Sequence, residues 1–166
     1  MNLRNLIICT MCFLASCTKY QDGPGFSFRS KANRLQGHWF VSNAEAVFKP
    51  ISGPGAEYTV SLTKDYADQY LRWQFIKDDG VINLNVYTGT TTNIDYTGQC
   101  NFSEDGKDLY IDFNDSWGRI NRDTLSIKRL TNNELWLDEV SYQNGYNDTN
   151  YDTKYQVTVS TKWKSF

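Results

Sequence analysis

The chain is 166 residues long, enough for one domain with its own hydrophobic core. Its 17 basic and 19 acidic residues give a net charge of −2, which excludes the strongly basic surface that nucleic-acid binding requires. Aromatic residues are frequent, with 9 Phe, 5 Trp and 11 Tyr, whereas Pro is scarce with 3. This composition is typical of strands connected by polar turns.

The N-terminal segment has the features of an export signal. Met1–Arg4 carry a small positive charge, and an apolar run over Leu6–Ala15 follows. About ten apolar residues are too few to cross a hydrocarbon core of roughly 30 Å. The stretch Leu14-Ala15-Ser16-Cys17 resembles the lipobox of bacterial lipoproteins.

That resemblance implies a signal peptide over residues 1–16, cleavage before Cys17 and acyl chains on Cys17. The acyl chains would anchor the protein in a membrane almost permanently, since each buried methylene contributes about 0.8 kcal/mol. It also implies a place in the bacterial cell envelope, where we expect the outer membrane. No acidic run follows Cys17, so the periplasmic and the surface-facing leaflet both stay open.

Residues 17–33 are a predicted lipidated tether, and residues 34–166 are the predicted domain. The tether contains Asp22-Gly23-Pro24-Gly25 and little periodic hydrophobicity. Cys9 and Cys12 leave with the signal peptide and Cys17 is acylated, so Cys100 has no disulfide partner. We expect Cys100 to behave as a small buried hydrophobe.

From Leu35 onward, apolar and polar residues alternate with the period of half-buried strands. Asp79-Gly80 predicts a tight hairpin turn, because positive φ suits this pair. Residues 65–70 are ambiguous between a loop and a turn of helix, and Tyr142–Thr149 has the composition of a polar loop. About eight strands are predicted, beginning at Leu35, Leu71, Ile82, Ile94, Leu109, Leu125, Leu135 and Tyr155, and Tyr58, Val60 and Leu62 could form a further strand after the first one.

Short turns connect these strands, and no crossover helix is indicated, so antiparallel pairing is favoured. Closing an antiparallel meander into a barrel removes its exposed strand edges. We therefore predict an all-β fold, an eight-stranded antiparallel up-and-down barrel. A two-sheet β-sandwich is the alternative, although it would require longer connections between its sheets.

Three short motifs carry a family resemblance. Ser30–Gln36 predicts a helical turn capped by Ser30 that leads into Leu35-Gln36-Gly37-His38-Trp39. Trp73-Gln74-Phe75 precedes the Asp79-Gly80 turn, and a late strand–turn–strand joins Leu125-Ser126-Ile127 to Leu135-Trp136-Leu137. Over residues 30–163 the chain resembles the lipocalin-like lipoproteins of Gram-negative bacteria.

The resemblance implies a lipocalin-like barrel that sometimes holds one small apolar ligand. It also implies that a tryptophan, here Trp39, plugs one end of the barrel and that an arginine near the last strand stacks over it. No arginine follows Arg129, so only Lys162 or Lys164 could take that place.

The predicted function is a non-catalytic, lipid-anchored binding module for a small apolar ligand. Small eight-stranded barrels are either filled by side chains or hold one ligand, so a pocket requires a cavity of at least about 300 Å³. The bulk of the inward-facing side chains favours filling. The candidate ligand-binding residues are Trp39, Trp73, Phe75, Leu84, Val86, Ile111, Phe113, Ile127 and Tyr155.

No catalytic or metal-binding set is evident in the sequence. The single histidine, His38, lies beside Gly37 and Trp39, where a structural or surface role is favoured over catalysis. His and Cys ligands are too few for a zinc site. We therefore predict no enzyme activity, no metal and no cofactor.

The alternative function is that of an interaction protein. In this hypothesis the barrel is a scaffold, and exposed aromatic side chains bind a glycan or another envelope protein. The candidate residues are Trp117, Trp136, Tyr142, Tyr146 and Tyr151.

Overall fold

The computed structural model describes residues 30–90, 92–114, 119–144 and 153–165. The predicted signal peptide, Cys17, most of the tether, Trp117, Tyr146 and Tyr151 lie outside these ranges. Within them the chain forms two short helices, α1 (Lys31–Leu35) and α2 (Thr63–Asp68), and nine strands. The strands are β1 (Gly37–Ser52), β2 (Tyr58–Ser61), β3 (Arg72–Asp78), β4 (Val81–Tyr87), β5 (Tyr96–Phe102), β6 (Asp108–Asn114), β7 (Ile120–Leu130), β8 (Glu134–Asn144) and β9 (Lys154–Ser165).

The strands close into an antiparallel barrel. β3 to β9 pair in sequence order, and β1 pairs with both β3 and β9, which completes a ring of eight strands. The β1–β9 pairing runs from Trp39↔Ser165 to Ser52↔Lys154. This continuous ring confirms the predicted barrel, and the nine strands described belong to one sheet rather than to the two sheets of a sandwich. β2 is an extra strand that pairs with the second half of β1.

The helical turn predicted for Ser30–Gln36 is confirmed as helix α1, which covers one end of the barrel. The Ser30 hydroxyl accepts a hydrogen bond from the Asn33 backbone amide at 3.2 Å and so caps the helix. Trp39 is fully buried below it and donates its indole N–H to the Leu35 carbonyl at 2.7 Å. Arg34 fastens the helix to β7 by donating to the Leu130 carbonyl at 2.8 Å.

Alternating apolar side chains from every barrel strand fill this half of the interior. Two irregularities in strand register change which residues face inward. In β1 the register shifts between Val41 and Asn43, so the buried positions change from Trp39 to Ala44 and Ala46. In β7 a shift between Ile127 and Arg129 likewise brings Leu130 into the core.

The predicted hairpin turn between β3 and β4 is confirmed. Asp79 has φ 43° and Gly80 has φ 84°, the positive values that a two-residue turn of this kind requires. The prediction of a polar loop from Tyr142 onward is wrong for its first residues. β8 continues to Asn144 because β9 supplies hydrogen-bonding partners, with Tyr142 opposite Gln156 and Asn144 opposite Lys154.

No helix in the described part of the chain is both long enough and apolar enough to span a lipid bilayer.

Candidate functional site

The end of the barrel opposite α1 is open because two neighbouring strands separate there. The pairing of β7 with β8 runs from Leu130↔Leu135 to Ser126↔Asp138. Beyond this point the first half of β7 follows β6, whereas the second half of β8 follows β9. The inward-facing side chains at this end therefore line a cleft rather than a closed core.

The cleft holds a cavity of about 420 Å³. That volume lies within the range of roughly 300–1,000 Å³ of small-molecule sites. The apolar wall consists of Trp73, Val86, Ile111, Phe113 and Leu125. The more polar rim consists of Tyr96, Asn114, Asn121, Asp123 and Glu139.

The nine candidate ligand-binding residues occupy three different places in the structure. Four of them, Trp73, Val86, Ile111 and Phe113, line the cavity. A second group of four is packed in the main core without lining the cavity, because these side chains lie nearer the closed end: Trp39, Phe75, Leu84 and Ile127. The barrel is thus filled in one half and hollow in the other.

Tyr155 is the ninth candidate, and it lies in a separate cluster. β1 and β9 extend together beyond the ring, and Tyr155 packs there with Ala46 and Val157. Its ring meets those of Phe48 and Tyr58 edge to face, at centroid distances of 6.2 Å and 5.7 Å. The alternation of apolar and polar residues correctly predicts that the Tyr155 side chain is on the buried face of β9. It does not show that β9 continues past the barrel.

Aromatic contacts hold the apolar wall in place. Trp73 stacks on Trp163 with ring centroids 4.2 Å apart, and it meets Phe75 edge to face at 5.9 Å. Phe113 lies against the backbone of Gly98, where an added Cβ would be only 3.1 Å from the ring. The glycine therefore sets how far this ring extends into the cavity.

Two carboxylates on the rim, Asp123 and Glu139, face the cavity from either side of the cleft. Burial and the nearby charge of Asp123 raise the pKa of Glu139. Within the residues that the structure describes, neither carboxylate has a side-chain hydrogen bond or an ion-pair partner. Apolar patterning does not identify this pair, although Asp123 stands two residues before Leu125 and Glu139 two residues after Leu137, at inward positions of their strands.

Helix α2 lies beside the same cleft. Tyr66 and Glu139 both border a smaller cavity of about 90 Å³ next to the main one. Burial raises the pKa of the Tyr66 hydroxyl, and the charges of Glu139 and Asp65 raise it further. Thr63 fastens the start of the helix to β1, because its hydroxyl accepts from the Ala44 amide at 2.8 Å.

The remaining chemistry-bearing residues lie away from the cleft or are covered. Cys100 is buried as predicted, and burial followed by the charge of Asp112 raises its pKa to about 12, so it stays a thiol. His38 is exposed and contacts the Gln74 side chain at 3.2 Å. Among the residues described, no group of three His, Cys, Asp or Glu side chains is placed to hold a metal ion.

Of the aromatic residues proposed for surface recognition, Trp136 and Tyr142 are described. Arg129 and Lys162 cover the Trp136 ring, at 5.1 Å and 4.7 Å from its centroid. Lys162 is therefore engaged with Trp136, on the outer face of the barrel. Tyr142 remains 70% exposed.

Comparison of the sequence with protein-family models and with curated proteins gave no match.

Proposed function

We propose that the chain is a lipid-anchored lipoprotein of the bacterial cell envelope whose barrel binds a small, largely apolar ligand without catalysis. The observation that carries the binding function is the cavity of about 420 Å³ at the open end of the barrel. Its wall is apolar and aromatic, which suits a hydrocarbon body, and its polar groups are confined to the rim. The family resemblance over residues 30–163 supports the same function.

Filling the cavity should abolish binding. Val86 is 7% exposed and lines the cavity, so Val86→Phe places a ring in the space that a ligand would occupy. With the apolar fluorophore N-phenyl-1-naphthylamine as probe, we expect Val86→Phe to weaken binding at least about tenfold, or about 1.4 kcal/mol. The measurement is the rise in probe fluorescence on titration with the purified protein.

Val81→Phe is the matched control, because Val81 begins the same strand and is 41% exposed outside the cavity. This variant should bind the probe as the parent does, and thermal melting should show that both variants are folded. Equal probe affinity of Val86→Phe and the parent, or no fluorescence rise with the parent, would contradict the proposed binding function.

The proposed anchor has its own test. The stretch Leu14-Ala15-Ser16-Cys17 supports cleavage before Cys17 and acylation of its sulfur and amino group. In a Gram-negative host fed an alkynyl fatty acid, the full-length protein should become labelled and fractionate with the membrane. Cys17→Ser should take up no label, whereas Cys100→Ser should be labelled like the parent. An unlabelled parent protein would refute the anchor and leave the binding function untouched.

An interaction protein is the second candidate. It is favoured by the outer face of β8, where Val140 is 47% and Tyr142 is 70% exposed at alternate positions. Such a patch suits a glycan or another envelope protein. This candidate becomes the leading one if the parent protein binds no apolar probe.

A further inference from the structure

We propose that the ligand of this cavity is a small amphipathic cation whose ammonium group sits between Asp123 and Glu139 and whose hydrocarbon body lies against the apolar wall. The proposal rests on the binding function proposed above and specifies the chemistry of its ligand. The cavity provides the space, and the two carboxylates at its rim determine the charge of the occupant.

The strand register shows how unusual the position of these two carboxylates is. Asp123 stands opposite Ile111 of β6, and Glu139 stands opposite Val159 of β9, so both have an apolar neighbour across the strand pair. A carboxylate that faces apolar surface loses part of its hydration without compensation. Both residues also remain exposed to solvent, so this loss is partial, and a cation in the cavity would contact the two carboxylates together.

Other carboxylates of β6 and β8 are paired with cations, and those pairs lie on the outer face. Asp112 accepts two hydrogen bonds from Arg122, at 2.6 Å and 2.7 Å. Asp138 lies 3.5 Å from the Lys128 amine, and Glu134 lies 2.7 Å from the Arg129 guanidinium. Asp123 and Glu139 differ from these carboxylates, because no ion pair joins either of them to a Lys or Arg side chain among the residues described.

The groups around Glu139 would favour a cation and repel an anion. Asp123 faces it from β7. Helix α2 contributes Tyr66, beside which Asp65 adds a further negative charge. The neighbouring position of β9, Val159, is apolar. Trp73, Tyr96 and Phe113 line the same cavity, and the face of an aromatic ring attracts an ammonium group. A bare divalent metal ion fits less well, because Ca²⁺ and Mg²⁺ take six or more oxygen ligands.

Three probes that share one body and differ in charge test the proposal. These are 1-naphthylmethylamine, 1-naphthalenemethanol and 1-naphthoate, titrated into the purified full-length protein by calorimetry at neutral pH. We expect the amine to bind at least about tenfold tighter than the alcohol, and the carboxylate to bind most weakly. In Asp123→Asn/Glu139→Gln the preference for the amine should fall below about twofold, while the alcohol binds as before.

The matched control is Asp112→Asn/Asp138→Asn, which removes the same charge from the outer face of neighbouring strands. It should keep the preference for the amine, and melting curves should confirm that both double variants are folded. If one double variant fails to fold, Glu139→Gln alone should lower the preference about threefold.

The outcomes separate the two proposals. Equal binding of the amine and the alcohol would overturn the cationic ligand and leave the binding function standing. No binding of any of the three probes would overturn both. A preference for the amine that persists in Asp123→Asn/Glu139→Gln would show that other groups select the charge, which also overturns this assignment.

Discussion

At the scale of single residues, the charge of Glu139 on the cavity rim is costly for the unliganded barrel. Glu139 loses hydration at its inward position and is repelled by Asp123, and both effects raise its pKa. A glutamate whose pKa is higher in the native than in the unfolded state stabilises the fold only while it is protonated. That contribution is fully present below the unfolded pKa and is lost as the pH rises through the raised native pKa.

Replacing Glu139 by Gln should therefore stabilise the free protein at neutral pH. We expect a gain of about 0.5 kcal/mol or less in the free energy of unfolding, because Glu139 is more than one-third exposed and solvent screens the repulsion. Near pH 4 the parent glutamate is largely protonated, so the difference should disappear. Urea unfolding at the two pH values measures both effects.

Asp138→Asn is the control for that substitution, since Asp138 is the preceding residue and is paired with Lys128. Loss of this pair should leave stability at neutral pH unchanged or slightly lower. A Glu139→Gln variant that is less stable than the parent at neutral pH would show that the native fold benefits from this charge.

The sequence contains a signal for both carboxylates that apolar patterning alone does not use. Asp123 and Glu139 occupy the same face of their strands as Leu125 and Leu137. A charged residue at an inward position indicates either a paired buried charge or a site. Alternation shows which face a residue occupies, but it does not show that β7 and β8 separate beside these two residues.

At the scale of secondary-structure elements, contacts of Thr63 and Leu62 with Ala44 hold the start of helix α2 against β1. The Thr63 hydroxyl accepts from the Ala44 amide at 2.8 Å and lies 3.1 Å from the Ala44 carbonyl oxygen. The Leu62 amide also donates to that carbonyl, at 2.9 Å. These contacts place Tyr66 beside the cleft.

Thr63→Val keeps the shape of the side chain and removes the hydroxyl. The Ala44 amide then loses its acceptor, so we expect the free energy of unfolding to fall by about 1 kcal/mol. Hydrogen exchange should become faster over residues 62–70, because the start of α2 is released. Thr59→Val is the control, since Thr59 is exposed on β2. Unchanged exchange in Thr63→Val would mean that other contacts hold the helix.

Most element positions follow from local sequence, and the exceptions have tertiary causes. Most strand starts and the Asp79-Gly80 turn are set by alternation and by backbone preference. The start of β7 is not, because residues 120–124 precede the predicted start at Leu125 and join the strand by pairing with β6. The end of β8 does not follow from local sequence, because residues 142–144 are polar and become part of the strand only through pairing with β9. The register shift after Val41 could not be predicted from the sequence either, since it depends on the partner strand rather than on the residues that shift.

At the scale of the whole molecule, the order of β3 to β9 could be predicted from the short turns between them, and the closed ring could be predicted from the need to remove edges. The place of β2 could not, because β3 pairs with β1 and leaves β2 outside the ring. The division of the interior into a filled half and a half with a cavity could not be predicted. Trp39 and Phe75 have the same patterning as Trp73 and Phe113, yet only the second pair lines the cavity. The difference is their height in the barrel relative to the point where β7 and β8 separate.

The buried thiol of Cys100 gives the barrel a built-in reporter. Cys100 is 1% exposed in the middle of β5, opposite Ile82 and Ile111, and its pKa is raised to about 12. An alkylating reagent needs an accessible thiolate, so it can attack this sulfur only during moments when the strands come apart. The rate of alkylation at Cys100 therefore reports how often the strands open. A ligand bound in the cavity should lower this rate.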